Sequence, residues 1–84
     1  MTSAFLLINC EFPFAGEVIS ELGKVQEITD IYRLHGMYDI LAKVTSDTEE
    51  GLNEVVKVRI RKIEKIKSTL TMIIAEGDKN QRQS

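Results

Sequence analysis

The chain has 84 residues and a net charge of −2, from 11 Lys and Arg against 13 Asp and Glu, which describes one small domain without the basic bias of a nucleic-acid binder. Its one cysteine, Cys10, excludes an internal disulfide and a thiolate metal cluster, and its one histidine, His35, excludes a histidine-rich zinc site, so no metal or cofactor is expected. No apolar run approaches the ~20 residues that cross a bilayer and no leader pattern opens the chain, so the reading is soluble and cytoplasmic, in keeping with a lone thiol in a reducing compartment.

Phe5, Leu6, Leu7, Ile8, Cys10 and Phe12 make an apolar run that predicts a first strand over 4–12, covered on both faces. Pro13 suits a first helical turn. Val18, Ile19, Leu22 and Val25 follow at helical spacing, with Glu17, Glu21 and Lys24 outside and Gly23 near the end. Strands are predicted over 28–34 and 39–45. Ser46-Asp47-Thr48-Glu49-Glu50 is a dense helix start, in which Ser46 with Glu49, or Asp47 with Glu50, has capping-box spacing. Leu52, Val55, Val56, Ile60 and Ile63 mark the buried face of that second helix, and Lys57, Arg59, Arg61 and Lys62 suit its C-terminal end. The last strand is predicted over 66–75, with Thr69, Thr71 and Ile73 on one side and Leu70, Met72 and Ile74 on the other. Residues 78–84 have nothing to bury, which leaves a domain over 1–77 and a disordered polar tail.

The order strand, helix, strand, strand, helix, strand is that of an α+β, ferredoxin-like βαββαβ fold. Right-handed crossovers put both helices on one face of a four-stranded antiparallel sheet, with the first and third strands central. The other face then has no cover within the chain, although the first strand is apolar on both sides. A domain this small buries only about 60% of its unfolded surface. Pairing of open sheet faces, in a dimeric αβ-barrel-type assembly, is therefore expected.

The segment joining the two middle strands carries the most chemistry. Gly36 permits a tight reversal, and Asp39 follows at the mouth of the next strand. A carboxylate beside turn amides offers both halves of what an amino-acid zwitterion needs, although the same residues also suit a plain surface hairpin. Thr69 and Thr71 put two hydroxyls in line, able to donate to a carboxylate, and are equally good strand formers. Cys10 lies in apolar surroundings that raise a thiol pKa, and His35 has no partner for acid–base work, so catalysis is not expected. The basic stretch from Lys57 to Lys67 lacks aromatic residues to stack bases and reads as a solvated helix face.

Taken together, His35-Gly36-Met37-Tyr38-Asp39-Ile40-Leu41 and Ser68-Thr69-Leu70-Thr71-Met72-Ile73 make the chain resemble the effector-binding domain of the Lrp/AsnC regulators, also called the regulation-of-amino-acid-metabolism (RAM) domain. The resemblance runs from about Ala4 to Glu76. It departs from the family in starting at the first strand, without a DNA-binding helix-turn-helix, and looks like a stand-alone form. It also has Ile63-Glu64-Lys65-Ile66 where many relatives have a Gly-Val-type corner. The resemblance implies sheet-to-sheet homodimers, rings of four dimers, and amino acids or related metabolites held between dimers. Carried over, Gly36, Met37 and Tyr38 offer amides to the ligand carboxylate, and Asp39 accepts from its ammonium. Thr69 and Thr71 line the pocket, including from an adjoining chain, and Leu34 and Tyr38 set selectivity. The function implied is non-enzymatic sensing and oligomerisation in transcriptional regulation, through a partner such as a full-length Lrp/AsnC regulator and without direct DNA contact. The alternatives are an assembly module that has lost its ligand and, from another class, a small ferredoxin-like monooxygenase dependent on His35.

Overall fold

Strict alternation along the first strand organises the molecule. The computed structural model describes residues 1–74. In β1 (Thr2–Cys10), Ala4, Leu6, Ile8 and Cys10 are buried, while Phe5, Leu7 and Asn9 on the opposite face are half-buried. A 3₁₀ turn over Phe12–Phe14, with Pro13 in its first positions, leads into α1 (Ala15–Leu22). Then come β2 (Ile28–Arg33), β3 (Ile40–Ser46), α2 (Glu49–Glu54), which continues as a π-helical segment over Val55–Ile60, and β4 (Ile66–Ile73). The strands form one antiparallel sheet in the order β2-β3-β1-β4, so the first and third strands are central as predicted. This is the ferredoxin-like α+β architecture.

One face of the sheet buries Leu6, Ile8, Ile40, Ala42 and Val44 against Val18 and Leu22 of α1 and Leu52, Val55, Val56 and Ile60 of the second helix. The other face bears two rows that cross the whole sheet. Tyr32, Leu41, Leu7 and Leu70 are successive partners in one, and Asp30, Lys43, Phe5 and Met72 in the other. Tyr32, Leu70 and Met72 are 45–56% exposed, so none of the described residues covers this side.

Several local details differ from the sequence reading. The first strand starts at Thr2 and stops at Cys10, because Phe12 enters the 3₁₀ turn and the Glu11 N–H donates to Lys65 O at 3.0 Å. Neither predicted capping box forms. Thr48, in extended backbone, is the cap of α2, and its Oγ1 accepts from the Gly51 N–H at 3.0 Å. A Cβ on Gly51 would lie 2.7 Å from Ser46 Oγ and 3.1 Å from Thr48 Oγ1, so the first turn leaves no room for a side chain at residue 51. In the π-helical segment the Arg61 N–H donates to Val56 O at 3.0 Å, five residues back. The turn before β4 puts Lys65 at φ +78°, a left-handed position that favours glycine, and the Lys65 ammonium lies 4.2 Å above the Phe14 ring. The end of the predicted last strand, at Ala75, and the predicted tail over 78–84 lie outside the described residues.

Candidate ligand site at the sheet end

The connection between β2 and β3 closes on itself before the ladder begins. The Leu34 N–H donates to Asp39 O at 2.8 Å, and the Asp39 N–H donates to Ile8 O at 3.0 Å. Gly36 makes the reversal at φ +154°, a conformation that side chains rarely adopt. The Gly36, Met37 and Tyr38 N–H groups take no acceptor among the described residues. Asp39 is held from two sides. Its Oδ2 accepts the Cys10 N–H at 2.9 Å, on the β3 side of β1 just beyond the last ladder pair, Ile8 with Ile40. Asn9, with its side-chain nitrogen turned to the corner, donates to Met37 O at 3.0 Å and to Asp39 Oδ2 at 3.3 Å. Asp39 Oδ1 makes no hydrogen bond among the described residues.

Beside this corner lies a pocket of about 470 Å³ between Phe12, Ala15, Arg33, Leu34, His35, Gly36 and Asp39. That size falls within the usual range for small-ligand sites. Burial pushes the Cys10 thiol pKa up, and the Asp39 charge raises it further, against opposing pulls from Arg33 and Lys67. Among the described residues, no three His, Cys, Asp or Glu side chains are grouped to hold a metal ion. A second groove, on the outer surface between α1 and the segment after α2, sets Glu17 and Glu21 against Arg59 and Lys62 and contains no corner residue.

Of the residues predicted for the site, Leu34, Gly36 and Asp39 line the pocket. Met37 points out and is 87% exposed, and Tyr38 is half-buried outside the pocket wall. Thr69 and Thr71 are not brought to Asp39 within the chain. They pair with Ile8 and Leu6, on the far side of β1 from β3, which separates them from the corner by about 10 Å, two strand spacings. The sequence reading missed Phe12, Ala15, Arg33 and His35 as pocket walls. Arg33, a charged residue ending an apolar strand next to the Gly36 corner, was the one available signal.

The sequence from residue 3 to residue 83 matches the family description "Lrp/AsnC ligand binding domain". The chain belongs to that family. The transcriptional regulator FL11 of Pyrococcus abyssi is 36% identical over 76 residues, covering 90% of this chain and 50% of FL11. The crystal structure of FFRP-DM1 matches with a TM-score of 0.86 at 33% identity, over 89% of this chain and all of that one. AsnC of Escherichia coli matches with a TM-score of 0.84 at 26% identity, over 90% of this chain and 52% of its own length. This Lrp/AsnC domain thus spans about half the length of the curated relatives it matches, and those relatives are transcriptional regulators by name rather than enzymes. No helix among the described residues is long and apolar enough to cross a membrane.

Proposed function

We propose that this Lrp/AsnC domain senses an amino acid or related metabolite and, by self-assembly, adjusts a partner regulator of transcription. The observation that carries the reading is the corner itself, where Gly36, whose N–H has no acceptor, and Asp39, with one unengaged carboxylate oxygen, line a single pocket, and the acceptor-free N–H groups of Met37 and Tyr38 follow in the same turn. The amides of Gly36, Met37 and Tyr38 take the ligand carboxylate, and Asp39 Oδ1 takes its ammonium. Leu34 and Tyr38 bear on side-chain selectivity.

The bare rows Tyr32-Leu41-Leu7-Leu70 and Phe5-Met72 support a homodimer through the open sheet face. A full-length Lrp/AsnC regulator is able to add through the same face. Higher assembly, up to four dimers, lets Thr69 and Thr71 of a neighbouring copy reach a corner that they do not reach in their own chain.

A thermal-shift screen of the twenty amino acids, run beside sedimentation of the free chain, tests this. A ligand present at 100 times its Kd raises stability by about 2.7 kcal/mol. A shift with at least one amino acid is expected, and none at millimolar concentration would remove the sensing role. One observation favours a second reading, a purely structural module: Asp39 already has work within the fold, as acceptor for the Cys10 N–H. On that reading no amino acid shifts the melting temperature.

A further inference from the structure

The pocket at the sheet end carries a positive charge that a neutral zwitterion leaves unused. Arg33, the last residue of β2, lines it together with Asp39. Arg33 has no carboxylate within 4.0 Å among the described residues, where the ion pairs are Lys24–Glu21 and Arg59–Glu27. Arg33 at the end of β2 and Asp39 at the start of β3 thus put opposite charges on the wall of the same pocket. Phe12, Ala15 and Leu34 give that volume an apolar wall.

Resting on the sensing role proposed above, the α-ammonium belongs to Asp39 and the α-carboxylate to the corner amides. The Arg33 guanidinium is then left facing the ligand's side chain. We infer that the preferred ligand is an acidic α-amino acid, its side-chain carboxylate bound by Arg33 and its methylene stem laid against Phe12 and Leu34. A guanidinium presents a planar fork of donors that matches a carboxylate bidentately, which a lysine or histidine does not. A neutral side chain leaves Arg33 to solvent. A basic one meets like charge.

Isothermal titration of the intact chain with L-glutamate, L-aspartate, L-leucine and L-lysine tests the assignment, using wild type, Arg33→Gln and Arg33→Glu. Arg33 is exposed, so both variants should keep the wild-type circular dichroism spectrum. Wild type should prefer an acidic ligand. Arg33→Gln should weaken that ligand about tenfold to a hundredfold, the worth of a charged hydrogen-bonded contact, and leave L-leucine unaffected. Arg33→Glu should turn the preference toward L-lysine. A wild-type preference for L-leucine or L-lysine, or an acidic ligand that binds Arg33→Gln undiminished, overturns the Arg33 assignment while leaving sensing intact. Failure of all four to bind, with no response to any other amino acid, overturns both.

Discussion

On the function proposed here Asp39 carries two separable loads, one in the fold and one in binding, and replacing it in two ways should pull them apart. Its Oδ2 accepts the N–H of Cys10, a residue only 5% exposed, so truncation to alanine leaves a donor with little access to water. A hydrogen bond to a charged group is worth about 1.5–3 kcal/mol net, and Asp39→Ala should cost about that much. At roughly 4–8 °C per kcal/mol for a domain of this size, the melting temperature should fall by roughly 6–24 °C. Asp39→Asn keeps a carbonyl oxygen in the same place and exchanges a charged bond for a neutral one, at a cost of about 1 kcal/mol. For ligand binding the ranking collapses, because neither variant offers a carboxylate to the ammonium and both should lose tenfold or more in affinity. Urea titration at a fixed protomer concentration gives the stabilities, and calorimetry with the amino acid found in the screen gives the affinities. Equal destabilisation by Ala and Asn would refute the role assigned to the Cys10 bond. Wild-type affinity in Asp39→Asn would refute the role assigned to the free oxygen.

Other expectations follow from single features. Leu70 is 45% exposed on the open face, so Leu70→Glu should leave the isolated fold intact while weakening self-association at least tenfold, as read by sedimentation; a dimer of unchanged strength would exclude pairing through this face. Gly36 has no atom within 4 Å of an added Cβ, so Gly36→Ala meets backbone strain alone, and a loss of about 1–3 kcal/mol of stability is expected, read as a lower urea midpoint with unchanged slope. No change would mean that the corner tolerates ordinary backbone angles. The raised pKa of Cys10 has a definite sign. On alkalinisation the unfolded chain releases the thiol proton first, so the stability this group contributes is complete below the unfolded pKa and is lost as pH rises through the folded one. Cys10→Ser should flatten that alkaline decline in the urea midpoint, and an identical pH profile would contradict the burial argument.

How far the sequence disclosed the molecule depended on how local each feature is. The strands were legible because their signals lie among neighbours: the short, nearly continuous apolar run through Phe5, Leu6, Leu7 and Ile8, and the alternation of Thr69 and Thr71 with Leu70 and Met72. The helix cap was not. Ser46, Asp47 and Thr48 are all capable acceptors, and Thr48 is selected by where the helix starts, at Glu49, which puts the Gly51 N–H within reach of its hydroxyl. The wide turns over Val55–Ile60 leave the order of buried residues almost unchanged from an α-helical pattern, so the apolar spacing could not announce them. The pocket gathers Phe12, Arg33 and Asp39 from three segments, and its walls depend on which strands become neighbours. That dependence also explains Thr69 and Thr71. Their shared side was readable, whereas their distance from Asp39 is set by β1 lying between.

The strand order also places Asn9 where the two proposed activities meet. Asn9 lies on the open face, two residues beyond Leu7, and its partner on β4 is Ser68. Its amide reaches the corner, donating to Met37 O and Asp39 Oδ2. A second copy packed on the open face, as proposed, would therefore bear on a side chain that holds the backbone of the proposed ligand site. Any ligand that prefers the corner as Asn9 holds it must favour the paired state by the same factor that pairing favours the ligand. Removing the amide, in Asn9→Ala, should leave dimer and ligand affinities each measurable but bring their coupling factor toward one. Sedimentation of the dimer with and without saturating ligand reads this factor directly. An undiminished factor in the variant would show that the link between pairing and binding runs through some other contact.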